Sequence, residues 1–324
     1  LGLPRGGCKA GIWGDPAIAG AERQRTMQAF GRILAPYLVT RSALVGPDMG
    51  VGVEDLVEIY KAAGAAYPRS GLFNQLVEGQ PLEFHITGHG VIMAARVACE
   101  LAGRDFAGAA VAIEGFGHVG VGAARYALRG RGKLVAVSTV EGALYNERGI
   151  DFERLLELRG RHGDRCVLEY GQGEHIARGE IYFLPVDLLV PGARPYVINE
   201  ANAGKVQAKV IASGGNIPIT DAAERQLFAR GILSVPDFIA NSGGVIASWV
   251  DYLGGNVEQA FRANEALIGA TTREVLSEAM ARSIDPRAIA TGKVARRLAA
   301  ARGTPRKSYE ETREEIRTRL GVFG

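Results

Sequence analysis

A lysine in a glycine-rich segment, an aspartate in a turn and a glycine loop follow one another along this chain. They are Lys9 in LPRGGCKAG, Asp48 in GPDMG, and the loop GFGHVG at residues 115–120. Hydride transfer to or from an amino acid needs a cofactor platform and an acid/base pair in a facing domain. The combination of an amine, a carboxylate and this loop suits that chemistry.

The loop at residues 115–120 satisfies the GxGxxG pattern in the right context, since it follows an apolar strand at 109–113 and opens a helix. Gly115 allows the tight turn, Gly117 lets the backbone approach a pyrophosphate, and Gly120 lets helix and strand pack closely. His118 and Val119 lie inside the loop and are expected beside the pyrophosphate. The alternative is a purely structural glycine turn, but the strand-to-helix context favours dinucleotide binding.

The end of the second strand indicates which dinucleotide is used. The position of the acidic residue that would hold the ribose 2′-hydroxyl is occupied by Thr139, preceded by Ser138. Without a carboxylate there, nothing repels a 2′-phosphate, and the two hydroxyls with nearby Arg129 and Arg131 could bind one. The sequence therefore favours NADP, or dual use of NADP and NAD.

Lysine is scarce, with only seven lysines among 38 basic residues, so Lys9 inside a glycine segment suggests a deprotonatable amine. An ordinary surface lysine is the alternative. Asp48 is by itself equally typical of a turn. No metal site is predicted at His85 and His89, and both are interpreted as positional at most. Cys8 could be a nucleophile, but a small buried cysteine is the simpler interpretation.

Composition describes a globular protein, with 324 residues, 47% hydrophobic and 23% charged, enough for two domains with a cleft. We find no apolar run of membrane-spanning length and no signal peptide, and three cysteines without a CxxC pair predict a reducing cytoplasm. The basic C-terminal stretch has interleaved acids and few aromatics, so nucleic-acid binding is not expected. The first residue is not Met, and we expect the chain to begin within a longer protein.

Strand and helix signals alternate after about residue 90, which predicts an α/β fold with a doubly wound, Rossmann-type parallel sheet. Thr220 and Asp221 are candidate N-caps for a helix that ends near residue 229. Residues 87–299 are predicted to form the dinucleotide-binding domain. Residues 1–86 with about 300–324 are predicted to form a partial α/β substrate domain.

These motifs and three others resemble the glutamate/leucine/phenylalanine/valine dehydrogenase family over nearly the full length. GGCKAG at 6–11 resembles the family's GGGKxG, and the spacing from Lys9 to Asp48 is similar to that of the glutamate branch. TGHG at 87–90 resembles the start of the hinge helix. GGNIPIT at 214–220 and PDFIANSGGV at 236–245 resemble the two segments that enclose the nicotinamide.

The resemblance implies oxidative deamination of an L-amino acid to a 2-oxo acid and ammonium, and the reverse. Neutral Lys9 would help water attack the iminium, and Asp48 would carry protons to and from nitrogen. Other implied roles are cofactor binding and substrate binding: Thr87, Gly192, Asn216 and Asn241 for the cofactor, and Gly46, Asn241 and Ser248 for the substrate. A serine at 248 slightly favours glutamate over leucine, valine or phenylalanine, although a helix serine bonded to its own backbone is the alternative.

The family also carries lysines upstream of the catalytic one that hold the substrate carboxylates, and this chain starts after them. A catalytically silent nucleotide-binding or subunit-assembly relative is therefore the alternative function. A 2-hydroxy acid dehydrogenase ranks last, because no convincing Arg/His pair is found in the first domain. The resemblance further implies a homo-oligomer, a hexamer.

Overall fold

The computed structural model describes residues 2–3, 6–15, 17–46, 50–68, 71–305 and 307–323, which pack into two compact units. The larger unit contains residues 71–304 and those from 320 onwards, and the smaller unit contains residues 2–70 and 305–319. Packing places residues 71–86 in the larger unit, whereas the sequence predicts a domain boundary at 86/87. The predicted assignment of the two domains to substrate and cofactor stays a prediction.

Among the described residues of the larger unit, seven strands form one sheet and two short strands form a hairpin. The hairpin is β1 (Leu76–Val77) with β2 (Gln80–Pro81). The sheet contains β3 (Ala110–Glu114), β4 (Lys133–Thr139), β5 (Gly142–Tyr145), β6 (Glu174–Ile176), β7 (Leu188–Pro191), β8 (Val210–Ala212) and β9 (Leu233–Val235). The strand order in the sheet is β6-β5-β4-β3-β7-β8-β9. The neighbours β4, β3, β7, β8 and β9 are parallel to one another, whereas β5 is antiparallel to both β4 and β6.

The parallel strands are continuous apolar runs because both faces of the sheet are covered. Val111, Ala112 and Ile113 of β3 are fully buried, as is all of β7. One face packs Ala112 and Leu189 in a core cluster with the helix at 221–229. The other face is covered by the helices at 86–101 and 118–129. The predicted α/β sheet is thereby confirmed.

Several helices of the larger unit begin at a side-chain cap. The α-helices of this unit are α3 (Ile86–Leu101), α4 (His118–Arg129), α5 (Phe152–His162), α6 (Cys166–Glu169), α7 (Asp221–Ala229), α8 (Asp237–Ala240), α9 (Gly243–Tyr252), α10 (Val257–Arg282) and α11 (Pro286–Ala301). Thr220 caps α7 by accepting a hydrogen bond from Ala223 N at 3.2 Å, as its sequence position predicts. Asn256 and Gln259 form a reciprocal capping box on α10, with both bonds at 2.9 Å.

The smaller unit is helical in its described residues. It contains α1 (Gly20–Val39), α2 (Val53–Ala62) and most of α12 (Tyr309–Leu320). The sequence predicts a partial α/β domain here; the regular elements described are the three helices. Helices α1 and α2 share a core that includes Leu56, Ile59 and Tyr60. Arg23 of α1 also binds both carboxylate oxygens of Asp55 of α2, at 2.9 and 2.7 Å.

None of the described helices is long and apolar enough to cross a membrane. The three cysteines are unpaired. Cys99 and Cys166 are buried, and burial raises the pKa of the Cys99 thiol to about 11. Cys8 is exposed, which contradicts its interpretation as a buried cysteine.

Candidate functional site

The strand order reverses at β3, where the next strand in the chain, β4, lies on one side and β7 lies on the other. In an open α/β sheet, ligands bind at such a switch point, outside the carboxyl ends of the strands. The carboxyl end of β3 leads directly into the glycine loop, and the carboxyl end of β7 leads into Gly192. The structure therefore brings these two predicted segments to the same edge of the sheet.

The glycine loop has the backbone geometry that its sequence predicts. Gly115 has φ +90°, a conformation that side chains disfavour, and its N–H donates to Ser138 O at 3.1 Å. A Cβ on Gly120 would lie 1.8 Å from Gly115 O, so only glycine allows this close approach of α4 to β3. Gly117 is the extended N-cap of α4, and a Cβ there would meet open space. The loop presents the N-terminus of α4 to any ligand above it, a site that favours phosphate.

Glu114, the last residue of β3, is a central residue of the switch point that the sequence analysis missed. It is 1% exposed, and its Oε2 accepts hydrogen bonds from Gly192 N at 2.9 Å and Ala193 N at 2.7 Å. Oε1 accepts from the Tyr182 hydroxyl at 2.8 Å and from Arg194 Nε at 3.4 Å. Glu114 therefore fixes the loop after β7 against the end of β3. A carboxylate closing an otherwise apolar strand was the available signal.

The two hydroxyl residues at the end of β4 are turned inward. Ser138 is 1% exposed and its Oγ accepts from Gly115 N at 3.4 Å. Thr139 is 5% exposed; its Oγ1 donates to Asp164 O at 2.6 Å and accepts from Glu141 N at 3.2 Å. Both side chains thus support the backbone at this edge, and their hydroxyl groups already have protein partners.

Arg129 and Arg131 do not lie beside Thr139, contrary to the sequence prediction. Arg129 ends α4 and pairs with Glu78, and Arg131 precedes the start of β4, whereas Thr139 ends it. A strand of this length separates its two ends by about 20 Å. Arg159 of α5 is instead a cation at this edge. Its guanidinium lies 5.7 Å from the Phe116 ring centroid and pairs at 3.4 Å with Asp164, whose backbone carbonyl accepts from Thr139.

Three loops meet on the other side of the switch point. The N–H groups of Gly214 and Gly215 both donate to Pro191 O, at 2.9 and 3.0 Å, which joins the loop after β8 to that after β7. Asn241 Nδ2 donates to Gly215 O at 3.2 Å and to Asn216 Oδ1 at 2.8 Å. The predicted cofactor residues Gly192, Asn216 and Asn241 are therefore adjacent in space.

The start of α3 lies beside the start of α9. A Cβ on Gly244 would lie 3.2 Å from Thr87 Oγ1, so these two predicted segments touch. Ser248 Oγ donates to Gly244 O at 2.9 Å. This bond to the backbone of its own helix is the alternative to a substrate-binding role for the serine. His118 is exposed at the first turn of α4, with its ring 3.8 Å from that of Phe84, centroid to centroid.

His85 and His89 are buried behind this site. The His85 Nδ1 atom lies 3.2 Å from the Tyr126 hydroxyl, and the His89 ring packs edge-on against Tyr126 and Phe261. Burial lowers the pKa of His89 to about 4, and burial together with the charge of Arg125 lowers that of His85. Both imidazoles are thus neutral packing groups near neutral pH.

The predicted catalytic lysine belongs to the smaller unit. Lys9 is exposed on the irregular segment 6–15, and Gly46 is half-buried in an irregular stretch after α1. Asp48 lies outside the described residues. The larger unit therefore supplies the predicted cofactor residues, and the smaller unit supplies the predicted catalytic lysine.

The residues present fit a bound dinucleotide, since Gly117 leaves open space above the N-terminus of α4 and Gly120 permits the tight turn below it. The fold and this site define a protein of the Rossmann-type α/β class. The sequence model for Glutamate/Leucine/Phenylalanine/Valine dehydrogenase matches residues 79–301. The chain belongs to this family.

Individual relatives agree with that assignment. The chain is 35% identical over 278 residues to a glutamate dehydrogenase of Aeropyrum pernix, covering 82% of this chain and 65% of the relative. It is 33% identical to an NADP(+)-dependent glutamate dehydrogenase of Pyrobaculum calidifontis, covering 78% and 62%. A hetero-hexameric glutamate dehydrogenase from Thermus thermophilus in its Leu-bound form shares the fold, with a TM-score of 0.71 at 24% identity, covering 94% of this chain and 71% of that one. The chain thus spans slightly less than two thirds of the length of these curated relatives.

Proposed function

We propose that this chain catalyses NAD(P)-dependent oxidative deamination of an L-amino acid to a 2-oxo acid and ammonium, and the reverse reaction. The observation that carries this proposal is the meeting of the glycine loop and the Asn216–Asn241 pair at one switch point. Membership of the family supports it, since both curated relatives above are named glutamate dehydrogenases.

The residues of the larger unit would hold the cofactor. The N-terminus of α4, at Gly117, His118 and Val119, faces the pyrophosphate position, and Gly192, Asn216 and Asn241 face the nicotinamide half. When bound, the nicotinamide ring supplies a hydride acceptor for the substrate Cα. Asn241 is well suited to orient that ring, because its amide is itself fixed by two oxygen acceptors.

Lys9 and Asp48 would move the protons. The Lys9 Nζ atom would accept a proton from the water that attacks the substrate carbon, and the Asp48 carboxylate would carry protons to and from the substrate nitrogen. A lysine suits this role because its amine can exchange a proton, whereas the arginine guanidinium stays protonated.

We propose glutamate as the favoured substrate, with leucine, valine and phenylalanine as competitors. The names of the curated relatives support glutamate. Ser248 would assist by donating its hydroxyl to the side-chain carboxylate. It must first release its 2.9 Å bond to Gly244 O, because a hydroxyl has only one proton to donate.

We propose NADP as the favoured cofactor, with NAD as a second one. Thr139 stands where a carboxylate would repel the 2′-phosphate, and Arg159 supplies a cation at the same edge. The name of the Pyrobaculum calidifontis relative is consistent with NADP. Asp164 opposes this preference by pairing with Arg159.

We also propose that the chain assembles into an oligomer, a hexamer of identical chains. The smaller unit exposes large apolar side chains that solvent would disfavour, including Trp13 at 103% and Ile33 at 71%. Size-exclusion chromatography with light scattering would give the mass directly. A monomer at micromolar concentration would contradict this proposal.

The decisive experiment follows absorbance at the reduced-nicotinamide band while the protein receives NADP or NAD with glutamate, leucine, valine, phenylalanine or alanine. We expect turnover with glutamate and NADP, and its loss in Lys9→Ala with NADPH binding retained. Lys9→Arg is the matched control, since it keeps the charge without a removable proton, and it should be equally inactive. Full turnover in either variant would contradict the role of Lys9. Silence of the wild-type protein with intact NADPH binding would favour the catalytically silent relative.

A further inference from the structure

A buried ion-pair cluster lies behind the Asn216–Asn241 pair. Arg287, in the first turn of α11, donates to the two carboxylate oxygens of Glu224 at 2.8 and 2.9 Å, and to Asp237 Oδ1 at 2.6 Å. The arginine side chain is 12% exposed, while Glu224 of α7 and Asp237 of α8 are 2% and 5% exposed. One guanidinium therefore serves two buried carboxylates from two other helices.

Asp237 links this cluster to the loop that carries Asn216. Its second oxygen, Oδ2, accepts a hydrogen bond of 3.0 Å from the backbone N–H of Ile217. Asp237 is thus held by Arg287 through one oxygen and holds the loop through the other. The connection from Arg287 to the residue next to Asn216 consists of two hydrogen bonds.

Ile217 is the point of strain in this loop. It has φ +50°, in the left-handed region, where a β-branched side chain is sterically disfavoured. Its carbonyl accepts from Tyr196 N at 2.8 Å, and its N–H is bound by Asp237. A strained residue persists only when its surroundings over-determine it, so these two bonds are the restraint that the conformation requires.

Glu224 determines how the guanidinium is oriented. Its two bonds from Nε and one terminal nitrogen fix the plane of the Arg287 fork, and that same nitrogen reaches Asp237. Burial raises the pKa of Glu224 above its usual range, and Arg287 offsets part of that rise. A lysine could not replace this arrangement, because a single ammonium cannot bind both oxygens of Glu224 and also reach Asp237 in the same geometry.

We propose that Arg287 is a positioning residue for the nicotinamide side of the site. Through Asp237 it holds Ile217 in its left-handed conformation, and this places the Asn216 side chain against Asn241. The inference rests on the proposed function, in which Asn216 and Asn241 contact the cofactor. Helix α11 lies outside the predicted cofactor site, and through Arg287 it controls the geometry of that site.

The first test is the affinity for NADPH and NADH, measured by the fluorescence of the reduced nicotinamide, together with kcat and KM. Arg287→Lys keeps the charge but loses the fork, and we expect affinity to fall on the order of ten-fold. Lys293→Gln is the matched control on the same helix. It breaks ion pairs of 2.7 and 2.8 Å to Glu274 and Glu278 of α10, and it should leave affinity unchanged.

The second test distinguishes positioning from simple support of the fold. Ile217→Gly removes the strain, because glycine adopts positive φ freely. In that background the loss caused by Arg287→Lys should be clearly smaller than in the wild-type background. An equal loss in both backgrounds would show that Arg287 only joins helices, and would overturn the proposal. If Arg287→Lys fails to fold, Asp237→Asn replaces it. Its loss of affinity is then compared in the wild-type and Ile217→Gly backgrounds, with the same two outcomes.

The failure of this inference is distinguishable from that of the proposed function. A wild-type protein that binds neither NADPH nor NADH overturns both. A wild-type protein that binds either cofactor, with affinity unchanged in Arg287→Lys and Asp237→Asn, overturns the positioning role alone. Binding that weakens in both variants and recovers with Ile217→Gly supports it.

Discussion

Glu114 Oε2 accepts a hydrogen bond of 2.7 Å from Ala193 N, which joins the end of β3 to the loop after β7 across the switch point. Glu114 ends β3 and Ala193 follows β7, and these two strands are parallel neighbours, so the contact depends on the sheet order. With Gly192 N at 2.9 Å, the carboxylate serves two backbone donors of the same loop. Glu114 is therefore the residue whose loss should most directly disturb this edge of the sheet.

Glu114→Gln tests this junction. The amide has one acceptor oxygen in place of two, so at least one of the donors around it is left without a partner, at a cost of about 1–3 kcal/mol. We expect the free energy of unfolding in urea to fall by that amount. Tyr182→Phe is the control, since it removes a single partner of Glu114 and should cost only about 1 kcal/mol. Equal stability of Glu114→Gln and wild type would contradict the role of Glu114.

Substitutions of two glycines in the loop distinguish an effect on stability from an effect on cofactor binding. In Gly120→Ala the new Cβ would lie 1.8 Å from Gly115 O, so α4 must shift, and we expect a loss of about 1–3 kcal/mol in stability. In Gly117→Ala the Cβ meets open space and the backbone is extended, so stability should change little. Its Cβ would nevertheless obstruct a phosphate, and NADPH affinity should fall. Unchanged affinity in Gly117→Ala would argue against pyrophosphate binding at this loop.

The Arg159–Asp164 pair allows a test of cofactor preference. Arg159→Gln removes the cation of this pair, and we expect NADPH affinity to fall by about ten-fold while NADH affinity stays constant. Asp164→Asn should instead raise NADPH affinity, because it releases Arg159 from its ion-pair partner. The measurement is the ratio of the two dissociation constants. Parallel changes for NADPH and NADH would place this pair away from the 2′-phosphate.

Stability should decrease in mild acid because of His89. Its pKa is about 4 in the folded protein and about 6.5 in an unfolded chain, so the unfolded state binds the proton first as pH falls. Stability should therefore decline from about pH 6.5 to about pH 4, by up to about 3 kcal/mol, and level off below that. His85 has a lowered pKa and acts in the same direction.

His89→Phe keeps an aromatic ring against Tyr126 and Phe261 but cannot take up a proton. Urea unfolding at pH 7 and pH 5 should show a smaller acid loss in this variant than in wild type. His175→Gln, which changes an exposed histidine, is the matched control and should behave like wild type. An acid loss in His89→Phe as large as that of wild type would contradict the assignment.

Much of the larger unit follows from local sequence patterns. The apolar run at 109–113, the glycine loop and the Thr220 cap each depend on residues a few positions apart. The structure has each of them, with the strand one residue later, at Ala110–Glu114. The packing role of Gly120 could be predicted from its motif, because the contact between a strand and the helix that follows it is a short-range constraint. The sequence by itself therefore determined the α/β class, the parallel sheet and the position of the loop at its edge.

Only the tertiary structure decided which charged groups meet. Arg129 and Arg131 are close to Thr139 in sequence, yet β4 carries Thr139 to the opposite edge of the sheet. Glu114 with Ala193, and Arg287 with Asp237, are far apart along the chain and meet because of strand order and helix packing. Periodicity reports which residues are buried, but the partner of a buried charge is fixed by long-range packing. For that reason the loop was predictable and the network that supports it was not.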